Sequence, residues 1–243
     1  MNKKILSLVA LSLILMSCGS KEEEPQARNV FQDENVSKET TVQDDQVFSY
    51  MLGTQFGRQG VENAPFQIGA HVDVDALVQG FLDMSNDKMQ MNDSAINVVD
   101  SIYNTIVKER MDKVRPDSAT MASFGDDKRK YHAYIDSANR ALPVEPQIPI
   151  KNEPVTLDES SSFVRKYSYR SGAQLGTIMR GVGKQLEKEL HAEFFARGIR
   201  DVAMNIVDSS AAMWISNDSL EAINMRYVKI MRTIQNERRM KGN

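Results

Sequence analysis

A nine-residue stretch occurs twice in this chain, as "SYMLGTQFG" at residues 49–57 and as "SYRSGAQLG" at residues 168–176. Each copy places two glycines four residues apart, in a segment whose apolar residues have helical spacing. A glycine inside a helix costs about 1 kcal/mol relative to alanine, so each pair disfavours its own helix by about 2 kcal/mol. Glycines at this spacing share one face and leave a groove that a second backbone can approach closely. The duplicated stretch therefore predicts that another helix crosses at each pair.

Two further matches extend this repeat along the chain. The sequence "LVQGFLD" at residues 77–83 matches "FARGIRD" at residues 195–201, and the tripeptide "NDS" occurs at residues 92–94 and again at 217–219. The three matches keep the same order in both halves, which indicates an internal repeat of about a hundred residues, longer than the period of any solenoid. The chain is therefore predicted to contain two similar helical units.

The apolar residues of both halves recur at steps of three and four, which predicts α-helices. The predicted helices cover about residues 46–60, 73–85, 92–113, 160–181, 186–213 and 216–239. A further helix, interrupted near Gly125, is expected after Pro116. The sequence has no run of short alternating strands, so the predicted fold class is all-α, with two similar three-helix units joined by a helical segment and a Pro-rich linker.

The first residues, "MNKKILSLVALSLILMSCGS", place two lysines before a short apolar run that ends at Met16. Because a bilayer span takes about 20 apolar residues, this run predicts a secretion signal and not a transmembrane helix. The Leu-Met-Ser-Cys ending resembles the lipobox of bacterial lipoproteins, which implies cleavage after Ser17 and lipidation of Cys18. An ordinary signal peptide with an incidental cysteine is the alternative. Cys18 is the only cysteine, so lipidation would exclude a disulfide and anchor the protein to a membrane.

The stretch "GSKEEEP" that follows the cysteine resembles the export signal of Bacteroidetes lipoproteins that reach the cell surface. A solvated acidic tether is the alternative. The predicted location is therefore the outer membrane, on its periplasmic or cell-surface face. The chain has 30 basic and 33 acidic residues and no clustered basic face, so nucleic acid is not an expected partner.

Two breaks divide the chain into segments. Residues 18–45 are poor in large apolar side chains and are expected to form a disordered tether. Four prolines between residues 143 and 154 predict an extended, semi-rigid linker, because proline fixes its own φ and lacks an amide donor. The predicted segments are a signal peptide, the tether, a first helical repeat, a helical connector, the Pro-rich linker and a second repeat, at residues 1–17, 18–45, 46–115, 116–142, 143–159 and 160–243.

The order of the repeated residues resembles the N-terminal domain of FKBP-type peptidyl-prolyl isomerases of the macrophage infectivity potentiator group. The first half carries this pattern as Tyr50, Gly53, Gln55, Gly57, Asp75, Gly80 and Asp83. The second half carries it as Tyr169, Gly172, Gln174, Gly176, Glu193, Gly198 and Asp201, with glutamate at the first acidic position. The resemblance implies an intertwined helical dimerisation domain whose first two helices are exchanged between subunits.

The resemblance further implies a helix-crossing interface, formed by Tyr50, Gly53, Gln55, Gly57, Gly80, Asp83, Tyr169, Gly172, Gln174, Gly176, Gly198 and Asp201. Two copies in one chain would pair either within the chain, as an intramolecular pseudo-dimer, or between chains, as a homodimer. A C-cap role for Gly57 is the alternative at that position, although it would leave Gly53 and Gly172 unexplained.

The sequence does not indicate a catalytic, cofactor or metal site. In the resembled family, catalysis belongs to a separate sheet domain, and the residues after Arg110 and after Ile234 leave no room for one. His71, His132 and His191 lack ligand spacing, and no nucleotide-binding loop or nucleophile elbow occurs. Serines follow aspartate in "DSA" and "DSL", which resembles an O-glycosylation acceptor motif, although Asp-Ser pairs are also common helix caps. These candidate serines are Ser94, Ser118, Ser137 and Ser219.

The predicted function is that of a non-catalytic envelope lipoprotein whose dimer-like helical scaffold binds unfolded or partner proteins in the manner of a chaperone. One alternative is a surface structural or adhesion lipoprotein that uses its helices as a spacer, and another is a diverged peptidyl-prolyl isomerase. An exposed apolar cleft between the repeats would favour client binding over a spacer.

Overall fold

A computed structural model describes residues 37–207 and 217–241 of the chain. The predicted signal peptide, Cys18 and most of the predicted tether lie outside the described residues, and so does the end of the helix predicted at 186–213.

Within the described residues the protein is all-α, as predicted, with no strand or sheet. The helices are α1 (Val42–Ile68), α2 (Val74–Ser85), α3 (Asp93–Val114), α4 (Ser118–Phe124), α5 (Lys128–Arg140), α6 (Phe163–Leu186), α7 (Ala192–Ala203) and α8 (Asn217–Lys241). The predicted interruption at Gly125 separates α4 from α5, because Gly125 has a φ of 54°. In the described part of the chain, no helix combines the length and the apolarity that a membrane crossing requires.

Helix α1 begins earlier and ends later than its apolar spacing predicts. Thr41 and Asp44 form a capping box, in which each side chain accepts a hydrogen bond from the other's amide, so residues 42–45 are helical and not tether. The helix continues through Pro65 and ends at Gly69, whose φ of 72° lies in the left-handed region. Its 27 residues make α1 long enough to cross α7 and to reach the linker as well.

The prediction of a single helix at residues 186–213 is wrong, because residues 187–191 and 204–206 are not helical. Helix α6 runs on to Leu186, and Glu187, at a φ of 57°, turns the chain away from the helix axis. A left-handed residue at this position is a common helix terminator. Helix α7 then starts at Ala192 and covers only 12 residues.

The helices of the two halves pair with each other. Helix α1 of the first half lies against α7 of the second, and α2 lies against α6. Helices α3 and α8 each contact both α1 and α6. All of these helices contribute to one core, whose largest fully buried side chains are Tyr50, Tyr169, Tyr227, Phe48, Phe81, Phe195, Leu52, Leu77, Leu186, Ile199, Ile230 and Ile234.

Helices α3 and α8 are buried to different depths. Helix α8 packs Tyr227 in a stack on Phe48, with ring centroids 3.9 Å apart, and the Tyr227 hydroxyl donates to Asp45. Helix α3 buries fully only Val99 and Val114. The α4–α5 hairpin lies further out, and α4 has no buried residue.

The proline-rich segment between α5 and α6 has no helix and runs across the outside of α2. It is pinned at its start by a parallel bridge between Ala70 and Glu145. Arg110 of α3 adds a second fixation, because its guanidinium donates to the carbonyl oxygens of both Phe66 and Pro143.

Candidate functional site: the paired helix crossings

The crossing of α1 and α7 is made by two glycines that face carbonyl oxygens of the opposite helix. A Cβ at Gly53 would lie 2.1 Å from the carbonyl oxygen of Phe195, and a Cβ at Gly198 would lie 2.4 Å from that of Tyr50. Both separations are far below van der Waals contact. Only a residue without a side chain can occupy either position at this backbone separation.

The crossing of α2 and α6 repeats this geometry. A Cβ at Gly80 would lie 1.9 Å from the carbonyl oxygen of Tyr169, and a Cβ at Gly172 would lie 1.8 Å from that of Leu77. In both crossings, each glycine faces the carbonyl three residues before the glycine of the opposite helix. The two crossings are therefore two copies of one arrangement, and each copy takes one helix from each half of the chain.

At each of these four contacts, a glycine Cα hydrogen points at a carbonyl oxygen, which is the arrangement of a weak Cα–H···O hydrogen bond. The second glycine of each pair lies one turn further along the same helix. A Cβ at Gly57 would lie 2.9 Å from the Cα of Ile199, and one at Gly176 would lie 2.8 Å from the side chain of Met84. All four glycines of the duplicated nonapeptide thus contact a helix from the other half.

Each crossing is also held by a buried tyrosine–aspartate hydrogen bond. The hydroxyl of Tyr50 donates to Asp201 Oδ2 at 2.9 Å, and the hydroxyl of Tyr169 donates to Asp83 Oδ2 at 2.8 Å. The tyrosines are at most 1% exposed and the aspartates at most 8%. A buried carboxylate needs hydrogen-bond donors to offset its lost hydration, and a bond to an ionised group is stronger than a neutral one.

A serine next to each tyrosine holds the start of the crossing helix. Ser49 Oγ accepts from the amide of His191, and Ser168 Oγ accepts from the amide of Asp73, both at 2.9 Å. His191 and Asp73 are the N-cap residues of α7 and α2. Both serines are fully buried. This role of the serines was not predicted from the sequence, although the Ser-Tyr pair occurs in both copies of the nonapeptide and could have indicated it.

The other predicted site residues lie outside these contacts. Gln174 is exposed and Gln55 is half-buried, and neither is among the atoms nearest to the glycines. Asp75 is buried, but it binds the proline-rich segment and not the crossing. The four candidate glycosylation serines are exposed on helices, and the part of the chain that the structure describes has no group of histidine, cysteine, aspartate and glutamate suited to a metal ion.

Comparison with known protein families identifies a match in the first half of the chain. The family model of the domain amino terminal to FKBP-type peptidyl-prolyl isomerase matches residues 45–135 of the chain. Residues 45–135 match the FKBP N-terminal domain. The match confirms the family resemblance for the first half, and it takes in α1 and α2, whereas their crossing partners α7 and α6 lie beyond it. No curated protein and no solved structure matches the chain.

Alanine at a crossing glycine should be strongly destabilising, whereas alanine at an open glycine of the same helix should not. Gly53→Ala and Gly172→Ala force Cβ into a carbonyl oxygen, so each should lower the free energy of unfolding by about 3 kcal/mol. Gly60 and Gly181 have no atom within 4 Å of an added Cβ. Gly60→Ala and Gly181→Ala should therefore raise it by about 0.5–1 kcal/mol. Urea unfolding followed by circular dichroism measures all four, and equal effects at the two kinds of position would contradict the crossing geometry.

Alkaline pH should weaken the α2–α6 crossing through Tyr169. Burial, with a further contribution from the hydrogen bond to Asp83, raises the pKa of Tyr169 above its ordinary value. The unfolded state then loses this proton first, so the stabilisation is complete below about pH 10 and declines as the pH rises further. Tyr169→Phe should lower stability at neutral pH and show a shallower decline above pH 10 than the wild type. If urea unfolding between about pH 8 and 11 gave parallel stability curves for the wild type and for Tyr169→Phe, the proposed contribution of the Tyr169 hydroxyl would be contradicted.

Proposed function

We propose that this protein is a non-catalytic envelope lipoprotein whose two halves interlock into a dimer-like helical scaffold that binds other proteins, in the manner of a chaperone. The observation that carries the proposal is the reciprocal pairing of α1 with α7 and of α2 with α6. The FKBP N-terminal domain is in general a dimerisation domain. In this chain, helices of the second half occupy the positions that a second subunit would fill, which supports an intramolecular pseudo-dimer.

The absence of catalysis is part of the proposal and has its own support. The match covers a domain that stands amino terminal to an isomerase. The described residues that follow it form the proline-rich segment and α6, α7 and α8, which supply helix and extended chain. Clear turnover of a proline-containing peptide in an isomerisation assay would contradict this part.

A cleft beside α1 supports protein binding over a role as a spacer. It has a volume of about 770 Å³ and lies between the end of α1, the end of α5 and the start of the proline-rich segment, with Ala203 of α7 on its wall. Val61, Phe66 and Val144 contribute apolar surface to it, and Glu62, Asp136 and Arg140 contribute charged surface. A concave surface that combines apolar side chains with polar groups is a surface on which another protein can bind.

Membrane anchoring completes the proposal but rests on sequence alone. Cys18 and the signal peptide lie outside the described residues, and helix α1 starts at Val42. Protease treatment of intact cells tests which face of the outer membrane the protein occupies.

The full chain without its lipid should have the mass of one molecule. Both crossings are satisfied within one chain, so a second copy would have to open four glycine contacts before it could exchange helices. Light scattering coupled to size exclusion should give a single-chain mass that does not change with concentration. A stable dimer whose mass persists on dilution would contradict the pseudo-dimer.

A charge in place of Val144 in the cleft beside α1 should reduce chaperone activity. Val144 is 36% exposed, so Val144→Asp should leave the fold intact. If clients bury this residue, the loss of its apolar contact should weaken their binding about tenfold. Suppression of the aggregation of a heat-denatured client measures this effect. Val42→Asp, at a position that is 65% exposed on the first turn of α1, is the matched control and should behave like the wild type.

A further inference from the structure

The proline-rich segment is bound to α2 and to the loop that follows it mainly through main-chain hydrogen bonds. Four of its amides donate to side chains of the first half: Lys151 and Asn152 to Asp75 at 2.7 and 3.0 Å, Val155 to Gln79 at 3.3 Å, and Leu157 to Gln90 at 2.8 Å. We use the name linker groove for the surface formed by Asp75, Gln79 and Gln90.

Gln90 binds the segment as a neighbouring strand would. Its side-chain oxygen accepts from the amide of Leu157, and its side-chain nitrogen donates to the carbonyl of Val155 at 2.9 Å. These two groups flank Thr156, so one side-chain amide replaces the peptide group of a strand in a β-ladder. Recognition through main-chain groups of this kind gives affinity without dependence on sequence.

Asp83 fixes the orientation of both glutamine amides. Gln79 Nε2 and Gln90 Nε2 each donate to Asp83 at 2.8 Å, and the hydroxyl of Tyr169 donates to the same carboxylate. With both nitrogens turned toward Asp83, both side-chain oxygens face the segment and can only accept. The linker groove is thus built in advance of its ligand, on the same carboxylate that holds the α2–α6 crossing.

Asp75 provides the anionic end of the linker groove. Its carboxylate is 7% exposed and accepts both successive amides of Lys151 and Asn152. Asn152 has a φ of 58°, and a left-handed residue of this kind turns neighbouring amides toward one anion. The groove therefore prefers a peptide that can turn at this point.

The segment itself is loosely buried. Ile150, Val155 and Leu157 pack partly on the core, whereas Pro154, Thr156 and Asp158 are exposed. None of its residues from 143 to 160 is fully buried, so its attachment depends on the main-chain bonds and on these three half-buried side chains.

We propose that the linker groove is a binding site for proline-containing peptides that are extended on both sides of one turn and carry apolar residues at alternate positions on each side, and that residues 148–157 are its resident ligand, which a client segment of the same chemistry displaces. The inference deepens the proposed protein-binding function and rests on it. It names the class of ligand, an extended apolar peptide read through its main chain, and a site that is distinct from the α1 cleft.

The test replaces the resident ligand and supplies it from outside. In the full chain, residues 148–157 are replaced by glycine and serine, and circular dichroism checks that the variant folds. A fluorescein-labelled peptide of residues 147–158 should then bind saturably in an anisotropy titration. Gln90→Ala in this background should weaken binding about tenfold, because two main-chain hydrogen bonds are lost. Glu193→Ala, at an exposed position on α7 of the second half, is the control and should bind as before.

The peptide can be altered to test main-chain recognition directly. N-methylation at Val155 and Leu157 removes two of the four donated amides and should weaken binding about tenfold or more. N-methylation at Thr156, whose amide is not one of the four, should have little effect. A folded variant that does not bind the labelled peptide, or that binds both methylated peptides equally, overturns the proposal.

A second measurement uses the intact chain in case the replaced variant does not fold. Lys151 is an exposed trypsin site within the segment. An excess of the peptide with glutamine in place of Lys151 should displace the segment and speed cleavage after Lys151 several-fold. Cleavage that is unchanged by the peptide overturns the proposal.

Measuring aggregation suppression on the same proteins separates the two proposals. If suppression persists while the peptide does not bind, only the linker groove is refuted. If suppression is absent while the peptide binds, only the chaperone function is refuted.

Discussion

The close approach of four glycine Cα atoms to four carbonyl oxygens is the constraint on which the rest of this structure depends. Each contact places a backbone against a backbone, so no side chain can separate the helices, and their relative position is fixed within a narrow range. Tyr50 and Tyr169 can reach their aspartates only at that separation. The serines that hold the N-caps of α7 and α2 depend on it in the same way.

The intrinsic cost of these glycines is offset by what surrounds them. Each one disfavours its helix by about 1 kcal/mol, and four of them together approach the net stability of a small domain. Large side chains next to the glycines, such as Phe81, Phe195 and Ile199, are fully buried by the crossings, and each contributes about 1.5–3 kcal/mol. The glycines are therefore stabilising in the folded protein even though they weaken the isolated helices.

Asp83 links the crossing to the outer surface of α2. It accepts hydrogen bonds from Tyr169 on its inner side and from Gln79 and Gln90 on its outer side. The α1–α7 crossing has the same tyrosine–aspartate hydrogen bond, between Tyr50 and Asp201, but the second half has Arg197 where the first half has Gln79. The two crossings thus share their glycine contacts and their tyrosine–aspartate hydrogen bond, but α2 and α7 carry different side chains on their outer surfaces. Within the described residues, a linker groove of this composition therefore occurs once.

Much of this arrangement could be predicted from the sequence, because it depends on residue types whose effects are local. Two glycines four apart in a helical pattern already require a close neighbour, and the repeat of Tyr50, Gly53, Gly80 and Asp83 as Tyr169, Gly172, Gly198 and Asp201 already indicates one geometry used twice. The all-α fold, the break at Gly125 and the extended linker followed from apolar spacing and proline chemistry. The boundaries of α1 and α6 did not, because a capping box at Thr41 and a left-handed residue at Glu187 override the apolar pattern.

Only the tertiary structure decided which helices meet. The repeated glycine pairs did not show which of the other helices lies against each of them. Folding places α1 on α7 and α2 on α6, because that pairing buries the core of both halves in one body. The role of Asp75 was likewise hidden, because an acidic residue in the first turn of a helix already has a sufficient local explanation, and the amides that it binds lie far away in the sequence.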